Sequence, residues 1–112
     1  MAVFSKVILS GVTDGRPVAV AATSTPGTLV HTAHASAIDE VWLYAVNTSG
    51  AARTLTIEYG GVVGGDLITV RLAADVGLVL IVPGLVLTNS LVVRTFADAA
   101  GVNIVGWINR IA

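Results

Sequence analysis

Apolar and polar residues alternate with a period of two along most of this chain, and turn-forming residues interrupt the alternation about every 8 to 12 residues. The segment IDEVWLYAVN, residues 38 to 47, puts Val41, Leu43 and Ala45 on one face and Glu40, Trp42 and Tyr44 on the other, because successive side chains of a strand point to opposite sides. RTLTIEY, residues 53 to 59, repeats the pattern with Leu55, Ile57 and Tyr59 inward and Thr54, Thr56 and Glu58 outward. Further strands are predicted at Val3 to Leu9, Pro17 to Ala22, Thr28 to Ala33, Leu67 to Leu72 and Val102 to Ile111. SGVTDGRP (with Asp14-Gly15 at its tip), TSTPG, TSGA and GGVVGGD supply the turns between them. Many short strands and no amphipathic helix predict an all-β fold, an antiparallel sandwich of Greek-key or jelly-roll type.

One stretch departs from alternation. Between Asp75 and Arg94 lie eighteen uncharged, mostly aliphatic residues, about the length of a membrane-spanning helix. Its Val and Ile content suits a pleated strand better than a helix. Pro83-Gly84 has the residue types of a type II turn, and Asn89-Ser90 is a second turn signal. These breaks divide the stretch into Gly77 to Val82, Leu85 to Thr88 and Leu91 to Phe96, strands of a fold outside the membrane. In the first piece Val79 and Ile81 fall on one side and Leu78, Leu80 and Val82 on the other, and both sides are apolar. A strand with one wet face would alternate, so this one is predicted to be covered on both, by its own core and by a neighbouring subunit. Val79, Leu80, Ile81 and Val86, with the aromatic pair Trp42 and Tyr44, are therefore the candidate interface.

Composition sharpens this picture. The 112 residues suit one domain, and hydrophobic types make up 54 % against 12 % charged, where about 25 % charged is usual. So apolar a small domain has more apolar surface than its own core can bury, which predicts self-association or a protein partner. Six basic and seven acidic residues give a net charge of −1, with the basic ones scattered singly. That spacing offers no phosphate-tracking patch and argues against nucleic-acid binding. Cysteine is absent, which excludes disulfides and thiolate sites. The start MAVFSKVILSGVTDGR lacks the long apolar region and cleavage site of a secretory signal, so export by that route is not expected.

Candidate chemistry is sparse. His31 and His34 would share a metal only on a helix; on an extended segment their spacing sends them to opposite faces, so neither a metal nor another cofactor is expected and both histidines are predicted exposed or in loops. Asp39 and Glu40 are adjacent on a strand and cannot act as a carboxylate pair. No serine or threonine stands in a recognisable nucleophile arrangement, so catalysis is not expected. GGVVGG lacks the Lys-Ser/Thr that completes a phosphate cradle, and Asn47 in NTS reads as a turn residue bonding its own backbone. Trp42 and Tyr44 have the chemistry to stack on a sugar or anchor a partner; packing beneath the second sheet is the expectation here.

DEVWLYAVNTSGAARTLTIEYGG, GLVLIVPGLVLTNSLVVRTFA and the ending GWINRIA, taken in this order, resemble a group of small virion proteins of tailed bacteriophages. The resemblance runs from about Lys6 to Ala112 and rests on strand and turn signatures. It implies a structural component of a phage particle, a capsid decoration or cement protein that binds the outer head surface, as a homotrimer in contact with the major capsid protein or other virion proteins. A receptor- or carbohydrate-binding module of a tail or head appendage, using Trp42, Tyr44 or Trp107 as a stacking platform, is the alternative.

Overall fold

The computed structural model describes residues 2 to 112, and they form two antiparallel sheets. The strands are β1 (Phe4–Val7), β2 (Val18–Ala19), β3 (Thr28–Thr32), β4 (Ile38–Asn47), β5 (Arg53–Tyr59), β6 (Leu67–Leu72), β7 (Val79–Leu87), β8 (Val92–Ala97) and β9 (Val102–Ile111). Sheet A has the order β1-β9-β4-β7, with β2 also on β9, and sheet B the order β3-β8-β5-β6. β1 pairs with the C-terminal half of β9 and β2 with its N-terminal half, so together they form one interrupted edge strand.

Antiparallel pairs nest from the chain ends inward. β1 and β2 lie on β9, β3 on β8, β4 on β7, and the β5–β6 hairpin closes the series. This winding is a jelly roll, which decides between the two topologies open at the sequence level. The alternation explains its core: Val41, Leu43, Ala45, Ile104 and Ile108 of sheet A meet Leu55, Ile57, Val93 and Ala97 of sheet B, all buried. β4, β5, β6 and β9 have the bounds expected of them, whereas β1 and β2 are shorter than Val3 to Leu9 and Pro17 to Ala22.

The apolar stretch requires the main correction. Pro83-Gly84 does not reverse the chain; β7 runs through it from Val79 to Leu87. Gly84 does take the positive φ expected of it, +79°, but as the extra residue of a bulge, since Trp42 pairs with Pro83 and Val41 with Leu85. A second bulge falls at Ile81, because Leu43 pairs with Val82 and Tyr44 with Leu80. Val82 is consequently buried in the core with Ile81, instead of lying outside with Leu78 and Leu80. Asn89 and Ser90 do form a turn, both with positive φ, and carry the chain from sheet A to sheet B. No helix among the described residues is long and apolar enough to cross a membrane.

Candidate interaction surface

The two sheets present very different outer faces. On sheet B, Thr54 and Thr56 of β5 have Arg71, Thr69 and Phe96 as register partners, and Glu58, which a loop covers, has Leu67 and Arg94. That face mixes polar and apolar side chains. On sheet A, β4 offers Trp42, Tyr44 and Val46, β9 offers Trp107 and Val105, and β7 offers Leu80, Pro83 and Val86. Of the polar side chains of this face, Lys6, Glu40 and Asn109 gather toward β1, and Asn103 lies beside β2.

Trp42 and Trp107 are direct register partners, stacked with centroids 5.9 Å apart and planes 8° apart. Tyr44 lies 6.0 Å from Trp107, and the Lys6 Nζ stands 5.3 Å over the Trp107 ring. Trp42 lies against the backbone at Gly84, where an added Cβ would sit 2.8 Å from the indole. The Trp42 Nε1–H donates to Glu40 Oε1 at 2.6 Å, and the Asn109 Nδ2 donates to the same oxygen at 3.0 Å. Bonds from Asn109 and then Trp42 hold the Glu40 carboxyl below its ordinary range, against a smaller effect of burial.

Of the residues expected at an interface, Trp42, Tyr44, Leu80 and Val86 therefore share this outer face, with Leu80 45 % and Val86 58 % exposed. Trp42 and Tyr44 are partly exposed there and do not pack beneath sheet B, because sheet B covers the Val41–Leu43–Ala45 side of β4. Val79 and Ile81 point the other way: Ile81 is buried and Val79 packs against the core. Leu78 and Leu85, at 66 % and 41 % exposed, add to the apolar rim along β7.

β7 is the free edge of sheet A, yet its backbone is a poor template for another strand. Pro83 has no N–H to donate, and the bulges at Ile81 and Gly84 break the ladder. This edge is thus blunted against the addition of another strand.

The histidines sit otherwise than expected. His34 is exposed after β3, but His31 is buried within it. The Ser10 N–H donates to His31 Nδ1 at 3.1 Å, leaving Nε2–H to donate to Asp39 Oδ2 at 2.8 Å. Arg110 grips the same carboxylate with two bonds of 2.7 and 2.9 Å, and the His34 N–H adds a fourth. Burial raises the Asp39 pKa, but the bonds from Arg110, His31 and His34 outweigh it and bring it to about 2. Ser10, His31 and Asp39 do not form a nucleophile relay, since Ser10 Oγ accepts the Thr32 N–H and His31 Nδ1 accepts the Ser10 N–H. The cluster ties three strand regions together. Its members had a visible signal: Asp39 has the parity of Val41 and Leu43, and Arg110 that of Ile108.

Glu58 has the outward parity expected of it but is buried, because the 25–27 loop folds over it. It accepts from the Thr25 hydroxyl and from the Gly27 N–H. Asn47 makes the expected turn, its Oδ1 accepting the Ser49 N–H at 3.0 Å while Nδ2 donates to Ala51 and Ala73 carbonyls. Asp39 and Glu40 point to opposite faces. No group of three or more His, Asp or Glu converges as a metal site among the described residues.

Comparisons with protein-family models, with curated proteins and with solved structures found no match to this chain.

Proposed function

We propose that this chain is a structural protein of a tailed-bacteriophage particle, a decoration or cement protein that seats on the outer head surface as a homotrimer. The observation that carries the reading is the asymmetry of the sandwich: the outer face of sheet B carries threonine and arginine beside Phe96 and Leu67, whereas that of sheet A is dominated by aromatic and aliphatic side chains. The total surface, 5680 Å², is close to the roughly 5,800 Å² of a monomer of this mass. Its quantity is ordinary; the concentration of apolar side chains on one face is what favours association.

A standard interface takes about 800 Å² from each partner, roughly a seventh of this surface. At about 25 cal/mol per Å² of apolar area such contacts gain on the order of 10 kcal/mol per partner, most of it offset by the cost of association. Repeated on every subunit around a closed lattice, they add through effective concentration and resist internal pressure. The jelly roll itself serves capsid proteins and lectins alike, so the site supports this reading more than the fold does.

Three-dimensional reconstruction of the phage particle, with the chain removed and then added back, tests the proposal. Density shaped like the sandwich, as trimers on the outer head surface, returns with the native chain and fails to return with Leu80→Asp. Density inside the head, or undiminished rebinding of the variant, would refute it.

A further inference from the structure

The β1 side of the same face carries a different kind of site. A cleft of about 280 Å³ lies between Phe4, Ser5, Lys6, Glu40, Asn109 and Ile111. It sits just below the ~300 Å³ at which small-molecule pockets begin, and so admits a ring or two rather than a drug-sized ligand. Its polar groups are held in place. Glu40 receives two bonds on Oε1, and among the described residues none reaches Oε2. Asn109 is oriented by donating to Glu40, which leaves its carbonyl oxygen free, and Lys6 is steadied over Trp107. Around them stand apolar walls, Phe4 (72 % exposed) on one strand and Ile111 paired with it on the next.

The geometry points to a binding site for a neutral oligosaccharide. A fixed carboxylate oxygen and an amide carbonyl side by side accept from neighbouring ring hydroxyls, and an ammonium donates to a third. Phe4 and Ile111 meet the C–H face of a pyranose, which is apolar where its rim is polar. One acid opposite one base leaves the cleft without net charge, which disfavours phosphate, sulfate or sialic-acid ligands. The ladder of Trp42, Trp107 and Tyr44 is not itself the platform here; by ring packing and the bond to Glu40 it positions the polar groups. This site borders the apolar half of the face, since Glu40 pairs with Val86, but lies away from Leu80, whose partner is Tyr44, and its existence does not depend on the particle role proposed above.

Binding of the native chain to an array of neutral gluco-, galacto- and manno-oligosaccharides, beside sulfated and sialylated ones, provides the test. Titration calorimetry then follows on the best neutral ligand. The expected result is that at least one neutral oligosaccharide binds, that Glu40→Gln and Asn109→Ala each weaken it at least tenfold with unchanged far-ultraviolet dichroism and melting temperature, and that Leu80→Asp binds it as the native chain does. Glu40→Gln keeps the acceptor for Trp42 and Asn109, so it removes charge without emptying the network. The inference is overturned if no neutral oligosaccharide binds, if only charged glycans bind, or if both cleft variants bind like the native chain. Loss of head binding by Leu80→Asp with glycan binding intact keeps the two readings distinguishable.

Discussion

Replacing Asp39 by asparagine should remove a pH dependence that can be worked from the structure. The Asp39 carboxyl ionises at about 2 in the folded chain against 3.8 for an unperturbed one, and each pH unit of difference is worth about 1.36 kcal/mol. The native interactions of the ionised form therefore contribute about 2 kcal/mol at neutral pH. Because the folded value is the lower one, this contribution is complete above about 3.8, declines as pH falls, and is lost below about 2. The amide of the Asp39→Asn variant keeps the shape and lacks the charge, leaving Arg110 without its anionic partner. Urea unfolding of both proteins, followed by far-ultraviolet dichroism from pH 7 to pH 2, should show the native chain more stable by about 2 kcal/mol or more at pH 7. That gap should close by about 2 kcal/mol toward pH 2, with other carboxyls cancelling in the comparison. A gap that stays constant across this range would refute the assignment of the stabilising charge to Asp39.

Two further perturbations probe packing. Gly106→Ala should destabilise by about 3 kcal/mol, because the new Cβ would overlap the Trp42 carbonyl oxygen where β9 crosses β4; denaturant unfolding measures it, and a cost near zero would contradict the close approach. Tyr59 has a buried hydroxyl without a partner among the described residues, and burial pushes its pKa up to about 12. Tyr59→Phe should therefore be neutral or slightly stabilising, and should abolish a tyrosine ionisation step near pH 12 in the ultraviolet titration of the native chain; loss of more than about 1 kcal/mol would reveal a hydrogen bond not present here.

Turn residues at both ends made β4, β5, β6 and β9 readable to the residue, and in β5 strict alternation also fixed which face is buried. The stretch through β7 lacked that contrast. Its apolar residues give no preference for either face, and a Pro-Gly pair satisfies a reversing turn and a glycine bulge equally well at the level of φ. Pairing with β4 settles it, because Val82 and Leu85 are held opposite Leu43 and Val41 with an extra residue in each interval. Strand parity assigned Trp42 and Tyr44 to the Glu40 side, but not which side the second sheet covers. Parity also carried a signal at Asp39 and Arg110, polar residues in phase with the core. Their joining across 71 residues is a product of jelly-roll winding, which brings the last strand beside the fourth. The cover over Glu58 comes from a loop, where no periodicity exists to announce it.

The central claim is that the aromatic and aliphatic outer face of sheet A is where this chain associates. Sedimentation-velocity measurement of the native chain and of Leu80→Asp and Val86→Asp, at concentrations up to about 100 μM, tests it most directly; the two side chains are exposed, so each variant should keep its fold. The native chain should sediment as an oligomer, a trimer in the proposed role, and both variants as folded monomers. A native chain that remains monomeric throughout, or variants that assemble as it does, would contradict the claim.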